Sequence, residues 1–178
     1  MLQSIQQLVA DRYAVAHGAR LTVDFPHYCT IQDENGPCAT LGFRSAADGP
    51  LFLERYLSQP IEQVIADVLG RTLSRERIVE IGAHASQRPR ATVALWARAA
   101  AELGRRGELA VAVLTAPMRA MFERLGLPIT VLAAADPAML GEDGRGWGRY
   151  YHTEPMVCAG EIAAAQPALA RWQSLDAQ

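Results

Sequence analysis

Three groups of residues in this chain combine side-chain type and spacing in a way that suits chemistry. The first is a carboxylate and an imidazole within an apolar run, Ile78-Val79-Glu80-Ile81-Gly82-Ala83-His84-Ala85. Side chains alternate along a strand, so Glu80 points away from Val79 and Ile81, and His84 shares its face. A carboxylate accepts a proton and an imidazole relays one near neutral pH. The plainer alternatives are a solvated Glu and an incidental strand-end His. The second group is Gln87-Arg88-Pro89-Arg90-Ala91-Thr92, just ahead of a helical run. Two arginines beside a helix N-terminus attract phosphate or an acidic protein face, or form an ordinary solvated basic loop. The third is an aromatic cluster, Trp147, Tyr150 and Tyr151, around and after the glycine-rich stretch Gly141–Gly148. Such rings wall a pocket or simply pack.

Other chemistries are excluded. All 17 basic Lys/Arg positions are Arg, so no lysine Schiff base and no phosphate-binding P-loop lysine exists. Cys29, Cys38 and Cys158 show no metal-ligand spacing, and no metal site is expected. Cys29 and Cys38 flank a turn and can face each other, although reduced, small apolar residues are the preferred reading. A net charge of −2 and a pI near 6.1 argue against a nucleic-acid partner. The N-terminal run lacks the apolar core of a signal peptide, and no apolar stretch reaches the roughly 20 residues of a membrane span. The reading is a soluble, cytoplasmic protein with no transmembrane segment.

The elements that must position these residues are legible in the hydrophobic rhythm. Leu2, Ile5, Leu8, Val9, Tyr13 and Ala16 fall at helical spacing, with Gly18 as a stop. A short extended run, Leu21 to Phe25, precedes a hairpin whose strands flank Asn35-Gly36. A second helix carries Ile61, Val64, Ile65, Val68 and Leu69 on one face, with Ser58 as its cap and Pro60 in its first turn. From Arg77 the pattern becomes strand, helix, strand, helix, strand. The middle strand is apolar throughout, as expected of one covered on both faces. Arg149 to Ile162 reads as a last strand, and the remainder as a surface-lying helix. A hairpin followed by alternating strands and helices gives an α+β fold with a mixed sheet. Half of the residues are hydrophobic, and no repeat or linker interrupts the 178 residues. They therefore read as a single domain, with a core over about 1–160 and a helical tail over 161–178.

The segments Ile78–Trp96 and Val113–Leu132 resemble the last strands, pyrophosphate loop and helices of Gcn5-related N-acetyltransferases (GNAT). A closer resemblance is to the thermostable haemolysin family. It is carried by Glu54-Arg55-Tyr56-Leu57, Pro60-Ile61-Glu62, Arg77-Ile78-Val79-Glu80-Ile81-Gly82, Arg124-Leu125-Gly126-Leu127, Ala135-Asp136, Trp147-Gly148 and Tyr150-Tyr151. That family is similar in turn to the GNAT-like autoinducer synthases. The resemblance implies a GNAT-like mixed central sheet flanked by helices, whose fourth and fifth strands splay apart to grip a pantetheine arm.

It also implies an N-acyltransferase moving a fatty acyl group from an acyl carrier protein or CoA thioester to a small amine or amino acid. Glu80 becomes the base, assisted by His84, with Glu54 in the same catalytic pattern. The backbone of Ile81, Gly82 and Ala83 grips the thioester arm, and Arg88, Arg90, Ala91 and Thr92 meet the donor's phosphate end. Trp147, Tyr150 and Tyr151 wall the acceptor or acyl pocket. No permanent cofactor is expected; the acyl-pantetheine thioester is a co-substrate. A homodimer is left open. Two departures stand out: Arg90 and Thr92 replace the phosphate-loop glycines, and Phe122 occupies the place of a proton-donating Tyr. Different readings are a membrane-damaging protein without enzymatic activity and a degenerate module that binds acyl ligands without turnover.

Overall fold

The computed structural model describes residues 1–20 and 24–170. Eleven helices and strands run in the order α1 (Leu2–His17), β1 (His27–Asp33), β2 (Gly36–Ser45), α2 (Ile61–Leu69), β3 (Ile78–Ser86), α3 (Pro89–Leu103), β4 (Leu109–Leu114), α4 (Ala116–Arg124), β5 (Thr130–Ala134), β6 (Met156–Glu161) and α5 (Ile162–Leu169). The strands form one mixed sheet in the order β1-β2-β3-β4-β6-β5, in which β3 and β4 are parallel. Alternation along the strands covers both faces. Val79, Ile81, Ala112, Leu114 and Cys158 pack beneath α3, α4 and α5, while Ile78, Leu109, Val111, Val157 and Ala159 pack against α2 and the segments around it. The apolar run of β4 thus buries both of its faces. α1 lies over β2 and β3, with Leu8 and Val9 against Ala83 and Ala85.

Two features of β3 decide the shape of the sheet. The parallel pairing with β4 runs from Ile78↔Leu109 to Ile81↔Ala112 and stops, although β3 continues to Ser86 and β4 to Leu114. The remainder of β3 stays on β2, and that of β4 stays on β6, so the sheet opens along a seam. At the same place β3 bulges. Gly42 pairs with Gly82 and Thr40 with Ala85, so Leu41 faces both Ala83 and His84, and Ala83 has φ 48°. A bulge strengthens local twist and turns a strand out of register with its neighbour, which carries β3 away from β4. A left-handed alanine is strained by roughly 1–2 kcal/mol.

Phe25 lies across the facing pair Gly42 and Gly82. A Cβ on Gly42 would stand 2.6 Å from Phe25 Cγ, and one on Gly82 would stand 2.5 Å from Phe25 Cζ. On this ring rests the Arg44 guanidinium, 4.4 Å from its centroid. The paired glycines therefore seat an aromatic floor that holds an arginine over the sheet.

Several sequence expectations change. Ser58 does not cap α2; Pro60 stands at that position, without a side-chain hydrogen bond. Val68 is exposed, leaving Ile61 and Ile65 as the buried contacts of α2. The last strand begins only at Met156, because Tyr150–Thr153 form a 3-10 turn, and the glycine-rich stretch before it is also wound into 3-10 turns over Pro137–Trp147. The final helix packs on α3 through its buried Ile162 and Leu169 rather than lying free on the surface. Cys29 pairs across the hairpin with Leu41 and not with Cys38, and all three cysteines are reduced and buried. The extended run expected from Leu21 falls largely outside the described residues, as does the tail beyond 170.

Gly42→Ala should lower stability by about 1–3 kcal/mol, since its Cβ meets the stem of Phe25. Gly82→Ala should cost less, because it meets only the swinging tip of that ring. Urea unfolding of the two variants measures the difference.

Candidate active site

The seam between β3 and β4 joins two concavities. On one side a groove of about 750 Å³ runs along the unpaired end of β3, past the start of α3 and the inner side of α4, with Arg88, Thr92, Trp96 and Met121 among its walls. On the other, a chamber of about 340 Å³ is walled by Phe25, Arg44, Phe52, Tyr56, Glu80 and Trp147. Ile81, Gly82, Ala83 and Val113 line both, at the point where the strands part. A third, apolar cavity lies beneath α3, α4 and α5 and shares Ile81, Trp96, Ala112 and Leu114 with the groove.

Glu80 is the charged centre of the chamber. It is 2 % exposed, on the face opposite Val79 and Ile81. The Leu53 N–H donates to Oε1 at 2.8 Å, and the Phe52 N–H to Oε2 at 3.1 Å. Arg44 Nε approaches Oε2 to 3.2 Å, directly across the β2–β3 register, while its Nη2 donates to the Asp24 carbonyl at 2.8 Å. Burial pushes the Glu80 carboxyl above the usual range, and the two amides and Arg44 only partly offset this. A carboxylate so placed is more basic than a solvated one yet held in one orientation, as suits a proton acceptor.

Glu54 lies elsewhere. Its Oε2 accepts from Leu51 N–H (2.7 Å) and its Oε1 from Ile61 N–H (2.8 Å), and Arg75 Nη1 binds Oε1 at 2.7 Å. Arg75 also donates to the carbonyls of Ala46 and Gly49. Burial raises the Glu54 carboxyl, but the Arg75 hydrogen bond, the two amides and the Arg75 charge together hold it below the usual range. Glu54 therefore closes the loop from Leu51 to Ile61 and thereby aims the amides of Phe52 and Leu53 at Glu80. Its side chain does not line the chamber.

His84 does not share a face with Glu80, because the bulge at Ala83 inverts the alternation after Gly82. Its ring stacks on Trp96 of α3 at 5.7 Å, and burial pushes its pKa down to about 4. Among the described residues His84 Nε2 and Trp96 Nε1 are both buried without a hydrogen-bond partner, and both residues line the groove. At the start of α3, Pro89 removes one amide donor and the Thr92 amide already bonds the Arg88 carbonyl. Arg88 is paired with Asp33. Arg88 and Thr92 line the groove, whereas Arg90 and Ala91 do not. Of the aromatic cluster, Trp147 and Tyr150 face the chamber, and Tyr151 stands behind, its hydroxyl 2.7 Å from that of Tyr56.

The residues that spacing did not reveal are Arg44, Phe25, Tyr13 and the amides of Phe52 and Leu53. Arg44 is visible only once the hairpin register sets it opposite Glu80. Tyr13 reads as an ordinary apolar-face position of α1.

The sequence profile of the family described as thermostable hemolysin matches residues 1–166. No curated protein matches the chain. Among solved structures, the acyl-homoserine lactone synthase LasI is 17 % identical, with a TM-score of 0.63 over 93 % of this chain and 85 % of that one. FeeM, an N-acyl amino acid synthase from uncultured soil microbes, is 13 % identical, with a TM-score of 0.61 over 94 % of each chain. BjaI, a CoA-dependent acyl-homoserine lactone synthase solved with SAM and isopentyl-CoA, is 13 % identical, with a TM-score of 0.61 over 96 % and 82 %. At these identities the likeness is one of fold, the GNAT-like mixed sheet.

Glu54→Ala should cost about 3 kcal/mol at neutral pH, since it strands two amides and Arg75. The folded carboxyl titrates below its unfolded value, so its stabilisation is complete above about pH 4.3 and disappears as pH falls through the folded value. The stability gap between wild type and variant, followed by urea unfolding from pH 7 to pH 3, should narrow by the part that depends on the charge of the carboxylate.

Proposed function

This chain belongs to the thermostable hemolysin family, and we propose that it is an N-acyltransferase. It moves an acyl group from a pantetheine thioester, carried by acyl carrier protein or CoA, to a small amine or amino acid. The observation that carries this reading is the open seam between β3 and β4, which leads from the groove to the carboxylate of Glu80. The structural neighbours include acyl-homoserine lactone synthases and an N-acyl amino acid synthase, which supports the reaction class.

The pantetheine arm lies along β3 from Gly82 to Ser86, where the strand has no β4 partner and its backbone groups are free to bond the arm's amides. The acyl tail turns past Trp96 and Ala112 into the apolar cavity beneath α3 and α5. The thioester carbonyl then sits at the seam, and the acceptor amine enters from the chamber. Its nitrogen attacks the carbonyl carbon, the new C–N bond forms, and the C–S bond breaks. Glu80 takes the proton lost by the nitrogen. Arg44 and the amides of Phe52 and Leu53 keep that carboxylate aimed without neutralising it. Arg88 and Arg124 at the groove suit the donor's phosphate or an acidic carrier, in place of a glycine-rich phosphate nest. An N-acyl amino acid is a surfactant, which links acyl transfer with the family's name without a pore. Among the described residues no helix is long and apolar enough to cross a membrane.

The test is incubation of the full chain with decanoyl-CoA or decanoyl-carrier protein and the standard L-amino acids, with amide detected by mass spectrometry and thiol by colorimetry. The reading expects both products in equal amounts and fails if neither donor releases thiol. Glu80→Gln should lower kcat by about 10²–10³-fold. Activity should rise with pH through a value above the ordinary Glu range, because only the ionised carboxylate accepts the proton, and this limb should vanish in the variant. Ala112→Leu should shift preference to shorter acyl chains, read from kcat/KM across a CoA series.

A further inference from the structure

The proton route through Glu80 leaves one ionisable side chain of the groove without a role. His84 lies beyond the last β3–β4 pair, where the bulge turns its ring to the α3 side. There it stacks on Trp96, with 5.7 Å between ring centroids and 24° between the planes. Phe122 stands edge-on to Trp96 at 4.8 Å. The three rings follow the path of an entering tail: His84 lines the groove, Trp96 lines both groove and apolar cavity, and Phe122 lines the cavity alone. Trp96 is 7 % exposed, and among the described residues neither its Nε1 nor His84 Nε2 has a hydrogen-bond partner. Such nitrogens are rare in folded proteins, because losing water without gaining a partner is destabilising. The other polar side chains lining the cavity are satisfied: Glu161 pairs with Arg71, and the Cys158 thiol donates to the Met156 carbonyl. Two unpaired nitrogens therefore mark the doorway of the cavity.

We propose that His84 and Trp96 bind an oxygen on the acyl chain close to the thioester, which makes the donor a 3-hydroxyacyl thioester. The proposal rests on the acyl-transfer reading and narrows its substrate. An indole N–H only donates, so its partner is an acceptor, which a plain hydrocarbon tail lacks. Burial holds the imidazole uncharged at neutral pH, with its pKa pushed down to about 4, so Nε2 accepts or donates according to tautomer. A hydroxyl accepts from Trp96 Nε1 and either donates to or accepts from His84 Nε2. It suits both tautomers, whereas a keto oxygen suits one. Gly82 and His84 are two strand residues apart, at most about 7 Å. With the thioester at Gly82, an oxygen on the third acyl carbon comes within a hydrogen bond of about 2.9 Å of the pair. The pantetheine amides lie on the other side of the sulfur and have the unpaired backbone of β3 as partners. Both nitrogens are closed to water in the free chain, so the entering oxygen parts the two rings. His84 sits on the strand end that β4 does not hold.

The experiment uses the inert thioethers S-decyl-CoA and S-(3-hydroxydecyl)-CoA, the latter as each enantiomer. Calorimetry gives Kd for wild type, Trp96→Phe and His84→Phe. One hydroxylated enantiomer should bind wild type about tenfold more tightly than S-decyl-CoA. Each variant should bring that ratio to about one while binding S-decyl-CoA as wild type does, which a misfolded protein cannot do. Where a variant fails to fold, the wild-type ratio decides. The Trp96 indole N–H proton, assigned by its absence in Trp96→Phe, should shift downfield with the hydroxylated ligand only. Equal affinity of wild type for the ligands, a preference that survives both substitutions, or equal weakening of all ligands in the variants, as loss of a contact to the pantetheine amides would give, overturns the assignment while leaving acyl transfer intact. A wild type that binds no S-decyl-CoA and releases no thiol from decanoyl-CoA or decanoyl-carrier protein overturns the acyl-transfer reading and this one with it.

Discussion

Parallel strands β3 and β4 remain hydrogen-bonded for four residue pairs and then part, and the proposed site is built on that parting. Where they part, Ile81, Gly82, Ala83 and Val113 line both the groove and the chamber that holds Glu80. The cause is local. One extra residue in β3, opposite Leu41, places Ala83 in the left-handed region and swings the strand end toward β2. The roughly 1–2 kcal/mol of strain in that alanine is offset by Leu8 and Val9 of α1, which pack on Ala83 and Ala85. The same bulge decides which side chains meet. It leaves Glu80 facing the chamber and sends His84 to the opposite face against Trp96.

Around the carboxylate the molecule solves a second problem. A buried charge is costly unless it is hydrogen-bonded and paired, and a carboxylate too well paired loses its basicity. Here the two functions are divided between two glutamates. Glu54 is locked by Arg75 and two amides, is held below the ordinary range, and fixes the loop from Leu51 to Ile61. Glu80 receives two amides from that loop and one arginine seated on Phe25, and burial keeps it above the ordinary range. The arrangement links the Gly42–Gly82 pair, Phe25, Arg44 and Glu80 into one chain of contacts.

Much of this was legible in the sequence. Periodicity identified α1, α2, α3 and the hairpin, and the apolar run of β4 told of two covered faces, because both signals depend on spacing alone. The family pattern singled out Glu80. What was not legible depended on register and tertiary approach. Strict alternation put His84 beside Glu80, and a single left-handed residue undid that. Arg44 gave no signal until the β2–β3 pairing set it opposite Glu80. Glu54 shares a motif with Arg55 and Tyr56, yet its side chain turns to Arg75, a contact that spacing cannot foresee. Tyr150 read as part of a last strand, but a 3-10 turn places its ring at the seam.

The most direct test of the central claim is a crystal structure of the chain with S-decyl-CoA, a thioether that cannot transfer its chain. The sulfur should lie between Gly82 and Val113, the pantetheine arm along Gly82–Ser86, and the decyl tail beneath α3 beside Ala112. A ligand bound away from the seam, or β3 and β4 paired along their whole length in the complex, would contradict it.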